Sequence, residues 1–265
     1  MEKIKELREK TGAGMVSCKK ALEEAGGDIN KAIEILRKQG IAKAAKRSAR
    51  ETSEGVIKLA VNEAKTEGYI IEINAETDFV AKNEKFQNFG DNVLRIVINK
   101  KPKDLECLLG LDLDGSTVGD TLANLSGTIG EKMEIKRFNI LSSQGTVAAY
   151  SHMGGKIGAL VALDKPQESG LAYDIAMQVA AADPKYINIE DVNPEEIKKE
   201  KEIYKEQLLK EGKQENMIDK ILNGKINKHF EDVCLLRQDF IKEDKKKIED
   251  VLGGVKVERF IRYSL

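Results

Sequence analysis

The residues best suited to acting on another molecule lie at Thr77-Asp78-Phe79-Val80, inside the run from Glu72 to Glu84. Here an acid stands beside a large apolar ring, where the apolar strand pattern Tyr69–Ile73 gives way to a helix pattern carrying Phe86 and Phe89. Thr77 and Asp78 open helices well, because their side-chain oxygens accept backbone N–H groups that have no partner within the helix. Strand-to-helix corners are places where function concentrates. Capping and burial are nevertheless the common fates of these residue types, so the local pattern alone reads as a capping acid followed by a core phenylalanine.

Other chemistry is hard to find. No GxxxxGK[ST] loop occurs, and no GxGxxG sits between a strand and a helix. The glycines at Gly115, Gly119, Gly127 and Gly130 come without the lysine that a phosphate loop needs. His152 and His229 are far apart, and Cys18, Cys107 and Cys234 form no CxxC, so a zinc site is not expected and the thiols read as reduced. No serine occupies a GxSxG elbow, and no carboxylate pair is singled out by spacing. His152 falls in Tyr150-Ser-His-Met-Gly-Gly155, a hairpin turn, where a lone histidine is more often solvated than catalytic. Neither a metal, a cofactor nor an enzymatic activity of the chain's own is expected.

The composition excludes further classes. Of 265 residues, 41% are hydrophobic and 34% charged, with 44 Lys+Arg against 45 Asp+Glu. The balance argues against direct nucleic-acid binding through overall positive charge. No apolar run approaches the ~20 residues that cross a bilayer, so no membrane association is expected. The charged start Met1-Glu-Lys-Ile-Lys-Glu-Leu-Arg8 is unlike a signal peptide, and a cytoplasmic location is expected.

The elements that must position these residues follow from periodicity. Residues 1–40 read as three short helices. Ile4 and Leu7 mark the first. Val16, Ala21, Leu22 and Ala25 stripe the second, which Gly26-Gly27 end. Asp28 caps the third, striped by Ile29, Ala32, Ile33 and Leu36 and ended by Gly40. Residues 41–54 form a basic linker with Lys43, Lys46, Arg47 and Arg50. An internal repeat occupies the rest. Gly55-Val56-Ile57 and Gly145-Thr146-Val147 each open a hairpin, followed by a helix (Phe86, Phe89, Val93, Val97; Ile175, Ala176, Val179) and a closing strand at Phe138 or Phe260. This gives one lobe over 55–140 and a second over 141–193 and 230–265. An insert at 194–229 carries Ile197, Ile203, Tyr204 and Leu208, then Met217, Ile218, Ile221, Leu222 and Ile226, and reads as an antiparallel helical hairpin turning at Gly212.

Several ordered motifs together resemble the bacterial elongation factor Ts family, the nucleotide exchange factors of elongation factor Tu. They are Leu7-Arg8 with Thr11-Gly12-Ala13-Gly14-Met15, Cys18-Lys19-Lys20-Ala21-Leu22, Thr77 to Lys82, His152 to Gly158, and Ala176-Met177 with Val179-Ala180-Ala181. The resemblance covers nearly the whole chain. It implies an α+β fold with an N-terminal ubiquitin-associated-like helical domain, a two-lobed core and a protruding helical hairpin. It implies elongation factor Tu as partner, in its GDP and GTP forms. Thr77, Asp78, Phe79 and Val80 would dislocate the partner's Mg²⁺, while Arg8, Thr11, Gly12, Met15, Lys19, His152, Met153 and Gly154 would bind the partner.

The chain departs from the family pattern at Gln178, where histidine is usual, at Asp239, where Gln-Pro-Phe would place proline, and at Gly90, where alanine is common. Many members continue past the position of Leu265, so contacts made by such a tail are expected to be absent or replaced. A plain adaptor is the rival reading, but it gives no reason for Phe79. A metal-dependent hydrolase lacks a ligand cluster.

Overall fold

A computed structural model describes every residue except Gly12, Lys46, Ser48 and Asp244, and every remaining side chain except those of Ile41, Lys43, Ala44, Ala45, Glu215 and Asn216. It is a mixture of helix and antiparallel sheet, an α+β fold. Three helices come first, α1 (Glu2–Thr11), α2 (Met15–Glu24) and α3 (Ile29–Ala45). Leu7, Cys18, Ala21, Leu22 and Ala32 form their small core. Asp28 opens α3, its Oδ1 accepting from the N–H groups of Asn30 at 2.9 Å and Lys31 at 3.1 Å. Val16, expected on the inner stripe, is exposed; Cys18 takes the inward position instead.

Gly40 does not end α3. It lies where α3 crosses α7 (Val118–Ile129), and a Cβ added at Gly127 of α7 would sit 2.5 Å from the Gly40 Cα. The two glycines let the helix backbones touch, a benefit that outweighs the helix-breaking tendency of a single Gly. The helix therefore runs five residues into the expected linker, to Ala45. Arg37 of α3 also donates to Ser116 Oγ and Asp120 Oδ2 on the α7 side.

Next come β1 (Glu54–Val61), β2 (Glu67–Ala75), the four-residue α4 (Asp78–Ala81), α5 (Glu84–Lys100), α6 (Leu105–Gly110), the minor strands β3 (Asp112–Leu113) and β4 (Ser116–Thr117), then α7 and β5 (Met133–Ser142). The second half holds β6 (Thr146–His152), β7 (Ile157–Leu163), α8 (Ser169–Ala182), α9 (Pro194–Lys210), α10 (Glu215–Val233), α11 (Ile248–Leu252) and β8 (Val257–Ser264). The sheet orders are β1-β2-β5 and β6-β7-β8, both antiparallel, each with a register shift where the central strand meets the closing one.

Strand alternation builds the layers. Tyr69, Ile71 and Ile73 of β2 face outward onto Phe86, Phe89, Val93 and Val97 of α5. Ala159, Val161 and Leu163 of β7 face outward onto Ala172, Ile175, Ala176 and Val179 of α8. Between the sheets, Ile57, Ile70 and Leu141 meet Val147, Leu160, Ile261 and Tyr263. The result is helix, sheet, sheet, helix. The fully buried Glu72 lies in this assembly, its carboxylate paired with Arg137 Nε at 2.6 Å and Lys136 Nζ at 3.0 Å.

Helices α9 and α10 pack against each other through Leu208, Ile218 and Ile226. Ile203 and Met217, expected in this seam, are half-exposed. Helix α10 runs past residue 229, because Phe230 and Val233 pack under Tyr186, Ile189 and Val192 at the hairpin's base.

Candidate functional site

The corner after β2 is tightly specified. Thr77 has an extended backbone and its Oγ1 accepts from Val80 N at 3.4 Å, which starts α4. The Glu131 carboxylate, beyond the end of α7, accepts from Thr77 N at 3.1 Å and from Thr77 Oγ1 at 2.9 Å. Glu76 accepts from Lys132 N and pairs with Arg50 at 3.1 Å. The Lys132 backbone N–H, then Arg50, holds its carboxyl below the usual range. Asn83 caps α5 by accepting from Lys85 N at 2.9 Å.

This framework has an unusual outcome. Val80 and Ala81 are buried in the first lobe's core, while Phe79 is 83% exposed. The core reading of Phe79 is thus overturned: with Val80 and Ala81 already turned inward on so short a helix, the adjacent ring must point out. Val80 is placed as the anchor of the corner, inside the core. Beside the ring, Asp78 pairs with Lys82 at 2.7 Å one helical turn on, and this contact first of all lowers its carboxyl pKa and raises that of Lys82.

A second exposed tip lies on the same end. The β6–β7 turn carries Met153, 66% exposed with φ 51°, and Gly154 with φ 68°. Gly155 closes the turn at φ 92°, and a Cβ there would lie 2.8 Å from Val56 Cγ2, so only glycine fits. Its carbonyl accepts from Ile57 N at 2.7 Å. Lys156 pairs with Glu54 at 3.2 Å, and its charge also reaches Asp78. His152 stacks on Tyr150 at 5.9 Å between ring centroids. The turn and the Asp78–Phe79 corner are therefore joined through β1.

The remaining expected residues lie on the three-helix unit. Arg8, Met15 and Lys19 are exposed, and Thr11 closes α1 by donating to Leu7 O at 2.6 Å. Gly12 lies outside the described residues. No hydrogen bond or ion pair among the described residues joins Arg8, Met15 or Lys19 to the corner. Sequence reasoning missed Glu131, Glu76, Glu54 and Lys156. The bond from Glu131 to Thr77 spans 54 positions, and no periodicity signals it. Among the described residues, no three His, Cys, Asp or Glu side chains converge as a metal-ligand set, and no helix is long and apolar enough to cross a membrane.

The family described as Elongation factor TS matches residues 76–265. The Elongation factor Ts of Chlorobaculum tepidum is 45% identical over 99% of this chain and 96% of its own length. That of Aquifex aeolicus is 43% identical over 100% and 97%, and that of Clostridium perfringens is 43% identical over 98% and 91%.

Proposed function

Because the chain belongs to the elongation factor Ts family, we propose that it is a guanine nucleotide exchange factor for elongation factor Tu in translation elongation. It binds the partner's GDP form, displaces Mg²⁺ and GDP, and lets GTP enter. The observation that carries this reading is Phe79, a large apolar ring held out in solvent on a corner that is capped, hydrogen-bonded and anchored in the core. Bound GDP is held by backbone amides, a lysine and Mg²⁺ across its phosphates. A rigid ring and the neighbouring Asp78 pushed beside that metal disturb its ligands, where charge stabilisation in a poorly solvated site is worth several kcal/mol. Burial of the rest of the interface offsets the cost. By reciprocity, a factor that weakens GDP binding is itself bound less tightly when GDP is present. The chain contributes no bond-making chemistry.

The finer assignments are part of the same reading. The three helices α1 to α3, through Ala45, form a ubiquitin-associated-like unit that docks on the partner through Arg8, Thr11, Gly12, Met15 and Lys19. The lobes, one closed by β5 (Met133–Ser142) and the other by β8, are two copies of one repeated unit, and α9 with α10 is a hairpin inserted into the second copy. His152, Met153 and Gly154 form a further partner contact. The setting is cytoplasmic.

The test is release of labelled GDP from elongation factor Tu on mixing with the chain. Accelerated release is expected, and a rate equal to the spontaneous one overturns the reading.

A further inference from the structure

We propose that Glu131 is a positioning residue for the Asp78–Phe79 corner, setting the direction in which Phe79 points; this rests on the exchange-factor reading above. Phe79 is 83% exposed, so packing does not orient it. Its direction is inherited from the backbone of Thr77 and α4. On the inner side that backbone is fixed by the burial of Val80 and Ala81. On the outer side Glu131 fixes it, through Thr77 N at 3.1 Å and Thr77 Oγ1 at 2.9 Å to Oε1 and 3.0 Å to Oε2. The hydroxyl is a relay. It donates to Glu131, which turns its lone pair toward the N–H of Val80.

Glu131 can do this because it is itself held. Gly130 turns the chain at φ 97° after α7, and the buried Ser126 donates its Oγ to Glu131 O at 2.6 Å. The next residue, Lys132, donates its N–H to Glu76 on the other side of Thr77. Helix α7 is in turn braced by α3, through the Gly40–Gly127 contact and the Arg37–Asp120 pair. The carboxylate therefore presents two oxygens from a fixed support, and loss of its charge-assisted hydrogen bonds leaves the corner free to sample other directions. Only the fraction of molecules with the ring correctly aimed then drives release.

The test uses the full chain with GDP-loaded elongation factor Tu. Glu131→Ala is expected to lower the maximal rate of GDP release about tenfold, with the half-saturating concentration of factor within about twofold of the parent's, and to speed hydrogen exchange at the Thr77 amide. Glu131→Gln keeps one acceptor and the side-chain shape, and its maximal rate is expected about three- to fivefold below the parent's. A merely structural role would lower melting temperature without separating maximal rate from half-saturation.

Folded variants whose maximal rate stays within about twofold of the parent's, or which change only half-saturation, overturn the proposal. If Glu131→Ala melts early, Glu131→Gln decides by the same criteria. A parent chain that does not accelerate release at all overturns the exchange reading instead. In that event, an unchanged Thr77 amide exchange in Glu131→Ala overturns the positioning role on its own.

Discussion

The two lobes leave their central strands at the same point of the same strand order, and they do so differently. After β7 the second lobe takes a five-residue loop, Asp164–Glu168, tied on both sides. Thr146 Oγ1 donates to Lys165 O at 2.7 Å and accepts from Glu168 N at 3.1 Å, while Lys256 N donates to Asp164 Oδ1 at 2.7 Å. It exposes only polar residues and Pro166. After β2 the first lobe instead inserts α4 and exposes Phe79. The fold needs only a tied loop at this point, so the exposed ring is an addition that folding does not require.

The sharpest way to break this comparison is to cut two rings of the first lobe, one exposed and one buried. Phe86 lies seven residues after Phe79 and is fully buried on the inner face of α5. Phe86→Ala is expected to cost about 3–5 kcal/mol in chemical denaturation. Phe79→Ala is expected to stay within about 0.5 kcal/mol of the parent, as surface substitutions do, while GDP release slows sharply. A Phe79→Ala protein that melts much earlier, yet catalyses release normally while folded, would end the reading of Phe79 as the ring that disturbs the partner's metal ligands.

A smaller effect is expected at Thr77, whose hydroxyl both caps α4 and meets Glu131. Thr77→Ala should cost about 1 kcal/mol of stability and slow release; Ser169, which begins α8 with no side-chain cap bond before it, should tolerate alanine with less than half that loss. Equal costs at the two sites would erase the contrast between the lobes' corners.

The acid limb of stability tests the first corner again. Glu76 has its carboxyl lowered by Lys132 N and then by Arg50. A carboxylate whose folded pKa is depressed contributes stability that is present above its unfolded pKa and lost as pH falls through the folded one. Glu76→Gln should therefore be less stable than the parent at neutral pH, by about 1 kcal/mol, and the two stability curves should converge on acidification. Parallel curves down to the acid transition would show that Glu76 is not held in this way.

The contrast between the two phenylalanines also shows what a sequence can reveal. Phe79 and Phe86 are the same residue type in similar local company; helical spacing put Phe86 inside, and the usual fate of a phenylalanine put Phe79 there too. Only the three-dimensional fact that Val80 and Ala81 fill the inner side of a four-residue helix sends Phe79 out. The sheets and outer helices were legible, because Tyr69, Ile71 and Ile73 alternate and Phe86, Phe89, Val93 and Val97 recur at helical spacing. Gly40 was misread as a stop, since a glycine needed for a close crossing looks the same in one dimension as a glycine that ends a helix. Glu131 was illegible for a related reason: its partner is 54 residues away, and a surface acid near a glycine carries no pattern.

The finest distinction concerns the helices behind the two corners. Helix α8 lays Ala172, Ala176 and Ala180 against its sheet, whereas α5 carries Gly90 on its buried face. A Cβ at Gly90 would lie 3.4 Å from Ile73 Cδ1 and 3.4 Å from Lys58 Cε. Both are ends of flexible side chains, so a few tenths of an ångström suffice to seat a methyl group. Alanine in a helix interior is favoured over glycine by up to about 1 kcal/mol, because it restricts the unfolded chain. The opposing effect is the pinning of Lys58 by its ion pair with Asp91 at 2.7 Å, which limits how far the Lys58 stem can move. That pair is partly solvent-exposed and worth only a few tenths of a kcal/mol, so the helix term should win. Gly90→Ala is expected to stabilise the chain by about 0.5–1 kcal/mol in chemical denaturation, with GDP release unchanged. A destabilised Gly90→Ala protein that Asp91→Asn restores would show instead that the Lys58 stem cannot yield, and that glycine is required where α5 meets its sheet.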